Sequence, residues 1–306
     1  MNNFLKSLLV VASTLTLVNG ADDGPRMYWN APVGTNILQT YYWSASGNSI
    51  SPEATQSSVD FKTDIGVGVL GYNKIFDVAG ASAILTGVIT AGNISGSLST
   101  KNNAIAKLSR GLGDIYLQGV INLMGAPALT AEEFASYEQS TLISLLVGVT
   151  APTGDYESDS LLNMGTNRWN LRLGLPMVQT IGEWKAGSIT TLEILPSVWF
   201  YENNDNSFGA ILKQDPMYTL EAHITQDITT TMFVSLDYFV QKVGKSYTNG
   251  VESSPSNTSD SLGVTVGYML NAQMQLQLRY VSTLGANPSQ SELDADMFQF
   301  NMNYFW

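Results

Sequence analysis

The sequence predicts an all-β fold, a transmembrane up-and-down antiparallel β-barrel of about 12 strands with one short periplasmic helix. Three observations carry that prediction. Stretch after stretch alternates apolar and polar residues with a period of two, the spacing of a strand with one apolar and one polar face. The polar faces are built from Gln, Asn, Thr, Ser and Gly, and only 13% of the 306 residues are charged, against about a quarter in a soluble chain. The connections alternate between tight turns and longer polar loops, as they do in outer-membrane barrels. No run of apolar residues is long enough for a spanning helix, which needs roughly 18 or more.

The elements follow in chain order. Residues 1–20 have the layout of an export signal: Lys6, an apolar stretch from Leu8 to Val18, then small residues around Gly20 and Ala21. The apolar stretch is too short to cross about 30 Å of hydrocarbon. Residues 21–32 precede the first strand and hold Pro25, Met27, Tyr28 and Trp29; this segment is expected to tuck into the barrel as a small plug. Residues 33–306 are the barrel. Strands are expected near 33–45, 57–72, 79–92, 112–123, 140–150, 167–178, 187–201, 216–226, 230–243, 260–270, 273–284 and 296–306. Long loops are expected at 93–111, 151–166, 202–215, 244–259 and 285–295. The connection from Pro127 to Tyr137 is the exception. Thr130 and Glu133 form a capping box there, with Phe134 and Leu129 or Tyr137 as the apolar side of a short helix under the barrel.

The alternation assigns faces. Met274, Leu276, Leu278 and Tyr280 oppose Gln273, Gln275, Gln277 and Arg279. Trp169, Leu171, Leu173 and Leu175 oppose Arg168, Asn170 and Arg172, and Tyr218, Leu220, Ala222 and Ile224 oppose Glu221 and His223. Met232, Val234, Leu236 and Tyr238 oppose Asp237, and Phe61, Ile65, Val67 and Val69 oppose Asp60, Lys62 and Asp64. A soluble sandwich alternates too, with its apolar faces inward. The scarcity of Lys on the polar faces and the aromatic residues at strand ends, such as Tyr42, Trp43 and Phe200, favour a barrel with apolar faces on lipid. The last strand, with Phe298, Phe300, Met302, Tyr304 and Trp306 on one face, has the form of the segment read by barrel-assembly machinery.

The lumen and substrate path are therefore expected to carry Asp60, Lys62, Asp64, Arg168, Arg172, Glu193, Trp199, Glu221, His223, Asp237 and Arg279. Tyr116, Phe233 and Phe239 join Trp199 as inward aromatics by parity. Structural pairing of the opposite charges is the plainer reading of this set, because an unpaired charge in a narrow interior is costly. Pro196 interrupts a strand, where a kink would open a lateral exit and a tolerated bulge is the simpler outcome. Asp155, Glu157 and Asp159 place three carboxylates on one outer loop. Oxygen ligands suit calcium, but the loop lacks the Gly of a tight ligand turn and reads as a solvated acidic loop, so no metal and no cofactor is expected. That loop is also long enough to fold over the mouth.

Composition narrows the function. The chain has no Cys, one His and a net charge of -12, which excludes thiolate chemistry, a two-imidazole metal site and nucleic acid as a partner. An acyl-transfer enzyme would need His223 beside a Ser and an orienting acid, and a lumen position puts His223 away from lipid substrates. No enzymatic activity is expected.

Several stretches resemble one family of outer-membrane β-barrels, the transporters assigned to the meta-pathway of phenol degradation. They are Ala31 to Asn36 leading into Tyr41 and Tyr42, Thr63 to Val67, Gly111 to Asp114, Asn122 to Leu129 and Thr150 to Tyr156. Leu162 to Trp169, Trp199 with Phe200, Asn203 to Asp205, and Gln214 to Tyr218 complete the set. The resemblance implies passive uptake of small hydrophobic or aromatic solutes across a bacterial outer membrane, with outer-membrane lipid around the barrel and no catalytic residues. A barrel that only displays its outer loops is the alternative.

Overall fold

The computed structural model describes residues 23–50, 60–99, 104–160, 162–284 and 294–306. The expected signal, residues 1–20, lies outside the described residues. β1 (Asn36–Ile50), β2 (Asp60–Val78), β3 (Ala81–Ser99), β4 (Ala104–Leu112) and β5 (Ile115–Met124) lead to one helical turn, α1 (Ala131–Phe134). β6 (Thr141–Ala151), β7 (Asn170–Gly174), β8 (Met177–Ile181) and β9 (Thr190–Tyr201) follow, then β10 (Asn204–Ser207), β11 (Ala210–Gln214), β12 (Met217–Asp227) and β13 (Met232–Val243). β14 (Ser246–Thr248), β15 (Val251–Ser254), β16 (Asn257–Asn271), β17 (Met274–Thr283) and β18 (Asp294–Phe305) complete the chain.

Among the described residues, β4 with β5 and β7 with β8 each make one span, so twelve antiparallel spans form the barrel, which β1 closes against β18. Closure removes the unpaired edge that an open sheet would present. β10, β11, β14 and β15 form a separate four-stranded sheet in the long connections. Residues 93–99 and 104–111 of the expected loop at 93–111 are instead strand, β3 and β4 pairing from Ala91 opposite Leu112 to Ser99 opposite Ala104.

The two broken spans differ in kind. Between β4 and β5 the register moves by one residue, since Ala91 faces Leu112 but Val88 faces Tyr116. That is a β-bulge at Gly113 and Asp114, and an extra residue exchanges the two faces of the strand. Leu108 and Leu112 accordingly point out, whereas Gln118, Val120 and Asn122 point in. Between β7 and β8 the register is unbroken, with Gly174 opposite Ser197 and Met177 opposite Ile194. Pro176 and Pro196 simply lack the N–H that a ladder uses, and Leu175 N–H donates to the Pro196 carbonyl at 3.1 Å. Pro196 pairs with Leu220 in an even ladder, so it marks neither a bulge nor a kink in register.

The outward face is an apolar belt. Leu85, Ile89, Leu117, Ile224, Leu236, Val264, Leu278 and Phe298 are all exposed, as lipid-facing residues must be. α1 is shorter than the sequence suggests but capped as expected: Glu133 N–H donates to Thr130 Oγ1, and the Glu133 carboxylate accepts from Thr130 N–H at 2.9 Å. Phe134 and Tyr137 rings meet at 5.5 Å. The start of β1 and the end of β18 share the end of the barrel with the short turns, as Ile37 opposite Phe305 shows.

Candidate functional site

The interior divides into a charged half and a neutral half. β7, β9, β12, β13 and β17 alternate so that Arg172, Glu193, Glu221, His223, Asp237 and Arg279 all point inward and are buried. Arg172, 0% exposed, reaches Glu221 at 3.0 Å and Asp23 at 2.8 Å, and its Nε donates to Ser197. Asp237 accepts from His223 Nδ1 at 2.8 Å, Ser235 at 2.5 Å, Thr265 at 2.6 Å and Arg279 at 3.3 Å. Arg172 with Glu221 and Asp237 with Arg279 are thus paired by charge, and Glu193 accepts from Thr191 at 2.9 Å, as a water-poor interior requires of its buried charges.

The N-terminal segment lies against this charged wall. Asp23 N–H donates to Glu221 at 2.8 Å, Arg26 N–H to Glu193 at 2.7 Å, and the Trp29 indole to the other Glu193 oxygen at 2.8 Å. Arg26 also pairs with Asp227 at 2.7 Å and sits between the rings of Trp29 and Phe233, at 4.2 and 4.0 Å. Phe233 has room for this because it faces Gly267, where any Cβ would strike the ring at 1.9 Å. Arg26 holds a left-handed φ of 63°, a conformation that costs about 1–3 kcal/mol in a non-glycine residue.

The opposite wall, from β18 through β1, β2 and β3 to β5, carries amides, hydroxyls and aromatic rings. It encloses a cavity of about 140 Å³. Trp43, Tyr41, Val69, Val88, Tyr116 and Met297 line one part of it, and Gln39, Asn73, Thr86 and Gln118 another. The segment closes one side with Asp23, Met27 and Tyr28.

One outer loop, residues 152–169, folds back into the mouth. Leu162 and Met164 are each 4% exposed and pack on Trp43, Ile65, Val67, Val69 and Ile94. The bulge at Asp114 anchors the loop: its carboxylate accepts from Gly154 N–H, Thr166 N–H and the Thr166 hydroxyl at 2.6–2.8 Å. Gly154 and Gly165 lie back to back, each meeting the other's backbone within 3 Å of an added Cβ. Three separate stretches of motif residues thus form one structural knot. Asp155 belongs to it, accepting from Leu112 N–H at 2.7 Å, and no three acidic or His residues gather as a metal cluster among the described residues.

The placement of the expected site residues is mixed. Arg172, Glu193, Trp199, Glu221, His223, Asp237 and Arg279 line the interior together. Arg168 points inward too, but nearer the loop end, where it donates to Gln214 at 2.6 Å and stacks on Tyr201 at 4.4 Å. Lys62 and Asp64 must be corrected. They are exposed on the outer face of β2, while Thr63, Ile65, Val67 and Val69 point inward. The side chain of Asp60 lies outside what the structure describes. Tyr116, Phe233 and Phe239 are inward as parity requires, with Tyr116 stacked on Trp199 at 6.1 Å. Ser235 commits its hydroxyl to Asp237, beside His223 on the same carboxylate, so the order of contacts an acyl-transfer triad needs is not formed. Phe298, Phe300 and Trp306 project outward from the closing strand. Sequence reasoning missed Asp227 and Asn73. Asp227 ends a strand facing Arg26, and Asn73 follows the inverted parity of β2.

Residues 30–291 match a protein family described as "Putative MetA-pathway of phenol degradation". No curated protein sequence matches the chain. Among solved structures, an outer membrane channel from Pseudomonas putida F1 is similar, at 20% identity and TM-score 0.75, over 92% of this chain and 99% of that one. The transport unit of the autotransporter AIDA-I from Escherichia coli is similar at 10% identity and TM-score 0.60, over 97% of this chain and 98% of that one. These likenesses concern the barrel fold. The match over residues 30–291, most of the chain's length, makes the protein a member of the phenol-degradation family of β-barrels.

Proposed function

We propose that this barrel is an outer-membrane channel for passive uptake of small hydrophobic or aromatic compounds. The observation that carries the reading is the aromatic-lined cavity of about 140 Å³ inside a closed barrel with an apolar outer belt. A cavity of about 150 Å³ lined by apolar side chains holds one benzene ring, so the size suits a monocyclic solute. Family membership and the likeness to an outer membrane channel support the same reading. In it, residues 1–20 direct export, the end with short turns faces the periplasm, and the Phe298 to Trp306 face serves assembly. Residues 23–32 act as a plug that obstructs the lumen and must shift for a solute to pass. No step of chemistry is required of any side chain.

The test is uptake of labelled small aromatics by cells lacking the protein, with and without the gene restored, beside polar sugars of similar size. Restoration of aromatic uptake alone supports the proposal. Equal uptake with and without the gene refutes it for these solutes. The small sheet of β10, β11, β14 and β15, with Phe208 and Val251 exposed, favours a second role in display. Deleting residues 204–214 should then abolish surface binding and leave uptake intact.

A further inference from the structure

We propose that the neutral half of the lumen holds a binding site selective for uncharged arenes that carry a hydroxyl, over both the parent hydrocarbon and the corresponding anion. This deepens the uptake reading and rests on it for its biological meaning, though the site itself is testable alone.

Asn73 is the starting point. It is 3% exposed and lines the cavity. Its carbonyl oxygen lies 2.6 Å from the Thr86 hydroxyl, and its amide nitrogen has no hydrogen-bond partner. Turning the amide over exchanges the two ends and still leaves one of them unmatched. A buried polar group left without a partner is destabilising. The cost is relieved when a solute brings the missing partner.

The neighbouring position shows which partner fits. Gly71 faces the same interior two residues earlier on β2, and it contributes no side chain. A Cβ there would meet Gln39 Oε1 at 3.2 Å and Val88 at 3.8 Å. Gln39, paired with Gly71 across β1 and β2, thus holds a carbonyl oxygen at the cavity that Asn73 also lines. An acceptor beside an unmatched donor suits a hydroxyl, which accepts from one and donates to the other. One inward step along the sheet, about 7 Å, brings Val88 and Tyr116 and then Val69 and Tyr41, which supply an apolar wall for the ring.

Charge completes the selection. Among the described residues no Lys, Arg or His lines the cavity, and its carboxylates are Asp23 and Asp114. Arg172 stands behind its floor, committed to Asp23 and Glu221, and the group presented at the floor is the Asp23 carboxylate. A carboxylate or phenolate entering the cavity would lose its water, find no cation and face a like charge. An ammonium would find Asp23 already paired with Arg172 and Tyr28, and Asp114 committed to Gly154 and Thr166. A bare hydrocarbon would fill the space and leave Asn73 unmatched. Hydrogen bonds of this kind are worth about 0.5–1.5 kcal/mol net, a preference of up to about tenfold.

The experiment measures binding of benzyl alcohol, toluene, benzoate and benzylammonium to the purified full barrel in detergent, with detergent-only controls subtracted. Benzyl alcohol should bind several-fold to tenfold more tightly than toluene and benzoate. Asn73→Leu should erase the margin over toluene without improving benzoate. Gly71→Val, whose Cβ presses on Gln39 Oε1 and displaces that acceptor, should weaken benzyl alcohol at least tenfold, and it reads the site even if Asn73→Leu fails to assemble. Equal affinity for alcohol and toluene, tight benzoate binding, or benzyl alcohol binding unaffected by Gly71→Val overturns the proposal. Flux of the same four solutes into proteoliposomes separates the two readings. Selective binding without flux leaves the site standing and removes the uptake role. Flux of all four arenes alike removes the site and leaves uptake.

Discussion

Arg26→Ala should release the N-terminal segment from the lumen, and its magnitude follows from the contacts. Residues 23–30 make at least five bonds to the wall in which one partner is ionised. At about 1.5–3 kcal/mol each, they are of the same size as the cost of ordering eight residues at about 1–2 kcal/mol each. The left-handed φ of Arg26 adds to the cost. The seated state is thus finely balanced, and one side chain can tip it. Arg26 contributes a bond to Asp227 at 2.7 Å, about 1.5–3 kcal/mol, and two ring contacts of about 0.5–1 kcal/mol each. Losing about 3 kcal/mol shifts the seated-to-released ratio roughly a hundredfold. The assay is single-channel conductance in planar bilayers, paired with thiol labelling of Met27→Cys. The chain has no other Cys, so the label reports that position alone. The high-conductance dwell fraction and the labelling rate should rise together. Arg26→Gly should release the segment less, because Gly holds that φ without strain. A folded Arg26→Ala barrel with unchanged conductance and labelling would refute the reasoning, as would an equal effect from Lys62→Ala on the outer face.

Three further outcomes are expected. Trp199→Ala removes a buried ring that packs on Met217, Phe239 and Val243 and should lower stability by about 3–5 kcal/mol, read as an earlier loss of heat-resistant mobility on gels. Asp114→Ala leaves Gly154 N–H and Thr166 N–H without an acceptor, at about 1–3 kcal/mol each; limited proteolysis should then cut within 152–169, where the parent resists. The Glu133 carboxyl is held below its ordinary range by Thr130, first by its backbone N–H and then by its hydroxyl. A depressed carboxylate stabilises the capped turn above its unfolded pKa, and that contribution is lost as pH falls through the folded value. NMR titration should show the low value in the parent and a partial rise in Thr130→Ala, which loses the hydroxyl and keeps the backbone N–H.

Much of the barrel was legible because lipid imposes a strict alternation. On β7, β12, β13 and β17 one face must be apolar, so parity alone sent Arg172, Glu221, Asp237 and Arg279 inward. The capping box at Thr130 was legible because both bonds lie within four residues. The bulge at Gly113 and Asp114 was not. It changes the faces of a span through one inserted residue, and its stabilising bonds come from Gly154 and Thr166, some 40 and 52 positions away. The partition of the lumen was hidden for the same reason. Which polar faces become neighbours depends on the closing of the ring, and which half stays open depends on where residues 23–30 lie.

β2 shows why the alternation rule gave the wrong face at one end. The rule assumes that every outward residue meets lipid and every inward one meets water. β2 has 19 residues, roughly 60 Å of strand, and even at a tilt of about 45° it rises well beyond an apolar band of about 25 Å. Past that band the outside is water, and Lys62 and Asp64 are stable there without partners from the lumen. The inside is also altered at that level, because Leu162 and Met164 return from their loop and cover Ile65, Val67 and Val69. Each buried aliphatic side chain gains about 1.5–3 kcal/mol from that contact, which makes an apolar inward face the stable one. Both environments are therefore inverted at the loop end, one by strand length and the other by a loop distant in sequence. The register of β2 is unbroken, so the same odd-numbered face stays inward at the short-turn end, where Asn73 points in and Leu70 and Tyr72 point out. A parity rule anchored on Asp60, Lys62 and Asp64 counts Asn73 among the outward residues, and so it overlooks the unmatched amide that gives the neutral half its selectivity.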